Sequence, residues 1–267
     1  MKDKAIDRVV LVSRSLLIFF SIFMLTLGIV FAWPFISIED TPDGLKYTQT
    51  TTDNGVTLHV LQTKPDYITL LTINENVVRS GFPGINGGFF WEDQLLSIAV
   101  MDGVPVNGSV KEYGSGWFNT KYDRGTMVFD RITKKVDVQR VASAGDLTMT
   151  DETKFWAQGG VSMNLRDDNR WYQIAIDEEG LPFPGDNRLR SAMAYDTSGD
   201  IYLIVSSTKC TAKQFRTAIK SSVAAGKLQE GIFLDGDGSS QLLAGNVKLK
   251  GDSRTVVQMI AVNGEKR

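Results

Sequence analysis

A chain of 267 residues with 42% hydrophobic and 22% charged side chains has the apolar content of a packed core, which excludes a disordered or collagen-like polymer. Lys and Arg number 29 against 31 Asp and Glu, a net charge of -2, so no overall positive field draws nucleic acid to it. A single cysteine, Cys210, and a single histidine, His59, exclude an internal disulfide and a Cys/His zinc centre, so any chemistry falls to carboxylates, arginines, hydroxyls and backbone groups, with no metal or cofactor expected.

Residues 15–36 read SLLIFFSIFMLTLGIVFAWPFI, uncharged and apolar on every face. At 1.5 Å per residue, about 20 such residues match the hydrocarbon thickness of a bilayer, which predicts one transmembrane signal anchor with the lipid bilayer as its partner. Lys2, Lys4, Arg8 and Arg14 precede it, so residues 1–14 are expected in the cytoplasm and the rest of the chain outside the cell membrane. The alternative is a cleaved signal peptide, read at Val30-Phe31-Ala32, which secretes the same domain. Residues 37–54 are polar, contain Pro42 and the turn pair Asp43-Gly44, and read as a stalk leading into one domain over residues 55–267.

Within that domain, β-branched and aromatic runs predict strands over 57–62, 68–73, 125–130, 136–141, 172–176, 192–196 and 201–206. His59 falls in the first of these and reads as a satisfied strand histidine. Residues 211–226 place Phe215, Ala218, Ile219, Ser222 and Val223 at helical spacing, with Thr211 as cap and Gly226 as stop. A further strand over 231–235 follows. The expected fold is therefore α+β: a β-rich single domain with a strand-helix-strand crossover.

Glycine-rich turns punctuate this pattern. Asp235-Gly236-Asp237-Gly238-Ser239-Ser240 ends the last strand of the crossover, where loops expose backbone N–H groups and side chains together; a plain surface turn or a cation loop fits the hexapeptide equally well. Asn86-Gly87-Gly88-Phe89-Phe90 reads alone as a ligand-approach loop or a hairpin turn, and Asp102-Gly103 as a hairpin turn.

Taken in order, NGGFF, then Gly159-Gly160, then Arg190-Ser191-Ala192, then Leu234 through Ser240, with Arg254-Thr255-Val256 and Met259 to Val262 closing the chain, resemble the phosphodiester glycosidase family over roughly residues 55–263. The resemblance implies hydrolysis of a bond between an anomeric carbon and a phosphate oxygen in a glycan phosphodiester. It implies Asp235 as the carboxylate at the anomeric centre and Arg190 as the phosphate grip. Asn86, Gly87, Gly88, Phe89, Gly159, Gly160, Ser191, Gly236, Asp237, Gly238, Ser239 and Ser240 would line the substrate, with Gly88, Gly236 or Gly238 adding N–H donors and Glu92 or Asp93 a second carboxylate. All these groups should share one cleft. Three positions depart from the family's pattern: Asp237 replaces a glycine, Val161 a proline, and Arg188-Leu189 a His-Pro pair. A non-catalytic glycan-binding module of the same fold is the rival reading.

Overall fold

Alternation of side chains along short runs, rather than helical periodicity, dominates residues 44–263, which are those described by the computed structural model of the chain. They belong to the second of two units, Met1–Ile36 and Ser37–Arg267. The anchor expected over 15–36 and its cytoplasmic flank lie outside the described residues, among which no helix is long and apolar enough to cross a membrane.

Three antiparallel sheets and one small hairpin make a β-rich single domain. The first sheet runs, in spatial order, β1 (Lys46–Thr51), β2 (Thr57–Thr63), β14 (Ile201–Ser206), β13 (Ser191–Asp196), β15 (Leu228–Phe233), β12 (Val161–Ser162). The second runs β10 (Lys135–Val141), β9 (Arg124–Asp130), β11 (Phe155–Gly159), β7 (Ala99–Met101), β8 (Val104–Pro105). The third runs β17 (Val247–Leu249), β16 (Leu242–Ala244), β4 (Gly84–Asn86), β18 (Val256–Val262), β3 (Ile68–Glu75). β5 (Phe90–Trp91) and β6 (Gln94–Leu95) form the hairpin.

Because successive strand residues point to opposite faces, the first sheet feeds two cores. Leu61, Met193, Leu203, Val205 and Ile232 join Ile85, Met127, Trp156 and Ile260 from the other two sheets. Leu58, Val60, Ala192, Ala194, Ile204 and Phe233, on the opposite face, take Phe215, Ala218 and Ile219 of helix α1 (Ala212–Ser222). Each fully buried Leu, Ile, Val, Met or Phe among them contributes about 1.5–3 kcal/mol. β14 and β15 each pair antiparallel with β13, which lies between them, so the two strands flanking α1 run parallel and the helix crosses over β13.

Seven of the eight expected strands form. The exception, over 172–176, is helical instead: a wide turn of Gln173–Glu178 in which Glu179 N–H reaches Ile174 O at 2.9 Å. Trp171 and Ala175 are buried while Tyr172 and Gln173 face solvent, a spacing of four rather than two. The span read as a stalk is, over its described part, strand β1, held to β2 through six residue pairs. Helix α1 begins as expected: Thr211 Oγ1 accepts from Gln214 N–H while Gln214 Oε1 accepts from Thr211 N–H. It ends before Gly226, because Ser221 and Ser222 hydroxyls bond back to Ala218 O and Val223 turns extended into the core. His59 is satisfied between Tyr47 Oη at 2.7 Å and Ser207 Oγ at 3.0 Å.

Candidate active site

Asn86 ends β4, and its amide uses its full hydrogen-bonding capacity to join three segments. Nδ2 donates to Asp235 O at 2.8 Å and Gly87 O at 3.2 Å; Oδ1 accepts from Ser191 Oγ at 2.8 Å and Gln241 N–H at 3.2 Å. Ser240 Oγ lies 3.1 Å from Ser191 Oγ, and Asp235 N–H reaches back to Gly87 O at 3.3 Å. The NGG turn, the start of β13 and the DGDGSS loop are thereby one polar hub. An unpaired buried amide is costly, so this hub fixes its members closely.

The two glycines after Asn86 are demanded by close approach. A β-carbon on Gly87 would sit 1.6 Å from Gln258 Oε1, and one on Gly88 would meet Ser97 at 2.6 Å. Gln258, on β18, accepts from Gly88 N–H at 3.1 Å and donates to Gln158 Oε1 at 2.9 Å, which links the NGG turn to Gln158-Gly159-Gly160 on β11. Gly160 in turn lies against the backbone of Phe233, the residue where β15 ends. Gln158, Gln241 and Gln258 were not expected at the site; a glutamine inside the apolar run of β18 is the signal that pointed to a buried polar partner.

The expected residues therefore converge, but most of them form the floor. Asn86, Gly87, Gly88, Phe89, Gly159, Gly160, Ser191, Gly238, Ser239 and Ser240 are buried, whereas Asp235, Gly236 and Asp237 keep part of their surface open. Of the expected backbone donors, Gly236 N–H is engaged by the carboxyl of Asp235 and Gly88 N–H by Gln258. Although partly open at its surface, the Asp235 carboxyl is hemmed in by protein, and loss of solvation pushes its pKa up to about 6 against the pull of Ser239, Gly236 N–H and Arg254. The Ser239 side chain is buried beside it.

Arg190 adjoins the hub only as the residue before Ser191, and its guanidinium is engaged elsewhere. Nη2 donates to Phe183 O at 2.7 Å and Asp186 O at 2.8 Å, and Nε donates to Cys210 O at 3.2 Å. The side chain is buried and clamps the 183–186 loop, and burial lowers its pKa. The cation whose charge acts directly on Asp235 is Arg254, a residue that sequence comparison marked only as part of the closing strand. Arg254 is held by both carboxylate oxygens of Asp252, each 3.0 Å from Nε, and keeps 46% of its side chain exposed. Glu92 and Asp93 sit exposed at the tip of the β5–β6 hairpin, and Asp102 is the first residue of a two-residue turn with Gly103, both at positive φ.

Two of the three departures meet each other. Arg188 Nη1 lies 2.7 Å from Asp237 Oδ2. Asp237 has φ +54°, the left-handed region where glycine is at ease and aspartate is among the few other residues tolerated, so the loop keeps a glycine-type backbone with a carboxylate added. Val161, the third departure, is a buried residue of β12 paired with Phe233.

The class of structure defined here is a three-sheet β domain with a polar hub under an aspartate loop. Its fold is similar to the catalytic domain of zebrafish N-acetylglucosamine-1-phosphodiester alpha-N-acetylglucosaminidase, in a structure auto-inhibited by the pro-peptide, with a TM-score of 0.56 and 14% identity over 85% of each chain. A hypothetical protein from Synechocystis matches at a TM-score of 0.42 and 15% identity, over 82% of this chain and 62% of that one. No family model and no curated relative matches the chain by sequence.

Proposed function

We propose that the chain is an extracytoplasmic glycosidase that hydrolyses a sugar-1-phosphodiester in a cell-envelope or exopolysaccharide glycan, anchored in the cell membrane by residues 15–36. The observation that carries the reading is the union of Asn86 and Gly87 with Asp235 across 149 positions, which sets a carboxyl of raised pKa at the open edge of a closed polar hub. The likeness in fold to a phosphodiester glycosidase catalytic domain supports it.

In this reading water attacks the anomeric carbon, the bond from that carbon to the phosphate oxygen breaks, and the phosphomonoester leaves with the bonding pair. Asp235 takes the proton of the attacking water, a task for which a pKa near the working pH is the favourable value. A phosphomonoester is already an adequate leaving group, so charge stabilisation replaces much of the proton donation that ordinary glycosidases need. The phosphate belongs on the side of the β17–β18 loop, where Arg254, held by Asp252, acts on Asp235. Arg190 then acts as a positioning residue, holding the opposite loop.

A non-catalytic glycan-binding module of the same fold is the second reading, favoured by the engagement of Arg190 with backbone carbonyls. Turnover separates the two. The full chain, incubated with a panel of sugar-1-phosphodiesters and teichoic-type polymers, is expected to release sugar and phosphomonoester, and the Asp235→Asn chain to release neither. Retention of a glycan by both chains with no release from either would establish the binding module.

A further inference from the structure

Beside Asp235, Asp237 joins a group of side chains on the 183–188 segment. Arg188 stacks on the ring of Phe183, 4.0 Å from its centroid, and contacts Asp237 at 2.7 Å and Asp186 at 3.1 Å. Phe183 is 58% exposed and has φ +48°, an outlier for an aromatic residue, and local strain of this kind persists only where surrounding structure enforces it. Here the enforcing group is the buried Arg190 guanidinium, bonded to the carbonyls of Phe183 and Asp186. Leu189 O fixes Asp237 from beneath by accepting its N–H at 2.7 Å.

We propose that Phe183, Arg188 and Asp237 form a sugar-reading subsite that takes a vicinal pair of ring hydroxyls next to Asp235; the proposal rests on the glycan reading above and specifies its sugar side. Three of the five N–H groups of Arg188 bond Asp186 and Asp237, so two remain, beside a carboxylate oxygen of Asp237 that accepts no bond among the described residues. Donor next to acceptor is the complement of adjacent hydroxyls, and an exposed aromatic face suits the apolar face of a pyranose. The coupled departures Arg188 and Asp237 then set which sugar is accepted, leaving the hub below unchanged.

The test uses the full chain carrying Asp235→Asn, so that nothing is turned over, titrated with methyl pyranosides of gluco, galacto and manno configuration and their deoxy counterparts. One configuration is expected to bind at least fivefold more tightly than the others and than its own deoxy form. Asp237→Gly, which suits the left-handed backbone and keeps the fold, and Arg188→Ala should each lower that affinity at least tenfold and erase the preference, with the double variant no worse than either. Thermal melts establish that each variant is folded. Unchanged affinity and preference in both variants overturns the subsite, as does a parent chain that binds none of the sugars. Sugar binding that depends on both residues, in a native chain that releases nothing from any phosphodiester, upholds the subsite and removes the hydrolase reading.

Discussion

Asp235 carries two opposed consequences of one environment. Its folded pKa, about 6, lies above the ordinary carboxylate value, so the native state holds its proton more tightly than the unfolded chain does. Stability is therefore unaffected by this group below the unfolded pKa near 4, falls as pH rises from there through 6, and carries the full penalty above. Asp235→Asn removes that penalty, so its melting temperature should exceed that of the native chain at pH 7.5 by several degrees. The two melting curves should coincide near pH 3.5. Activity runs the other way, and kcat/KM should rise with an apparent pKa near 6 in the native chain and be lost in the variant; a flat pH profile would exclude Asp235 as the base. Arg254→Ala should raise KM for a phosphodiester more than tenfold, with Arg254→Lys recovering part of it, since a point charge lacks the guanidinium fork. Arg190 shows where residue-level reading stops: the sequence marks it as a cation at the right motif position, but the direction of a guanidinium depends on Phe183, Asp186 and Cys210, which no local pattern associates with it.

At the scale of elements, what was legible was what is locally encoded. The Thr211 capping box, the apolar stripe of α1 and seven strands follow from spacing and composition, and Thr211→Ala should cost ~1 kcal/mol of stability in a denaturant titration. The π-type turn at Gln173–Glu178 was misread because a five-residue run with isoleucines mimics a strand, whereas its burial is set by Trp171 packing at Arg216. The NGG turn was legible as glycine-rich, but the reason for its glycines is Gln258, which arrives from 170 residues further along. Gly87→Ala, with a contact of 1.6 Å to relieve, should destabilise by more than ~3 kcal/mol, seen as a large drop in the denaturation midpoint or as failure to accumulate folded protein. Gly87→Ala combined with Gln258→Ala should recover part of that loss, because the clash has one named partner.

For the whole molecule, the domain outside and the anchor within the membrane form one topological prediction. Cys210 is buried, and burial raises the pKa of its thiol, so it is a silent background for a membrane-impermeant maleimide. In intact cells Glu152→Cys, at an exposed position, should be labelled while the native chain is not; labelling of Glu152→Cys only after lysis would place the domain on the other side.

Strand β18 lies between β3 and β4 in the third sheet, although it is the last of the three to be synthesised. A ribosome or translocon delivers β3 and β4 long before the strand that joins them, and closing so large a loop delays pairing. Throughout that interval Gly88 lacks Gln258 and the hub lacks one wall, so a chain interrupted before residue 256 emerges with NGG and DGDGSS intact in sequence but with no site. The polar hub is thus completed only by β18, and a chain released without that strand would carry the motifs but not their arrangement.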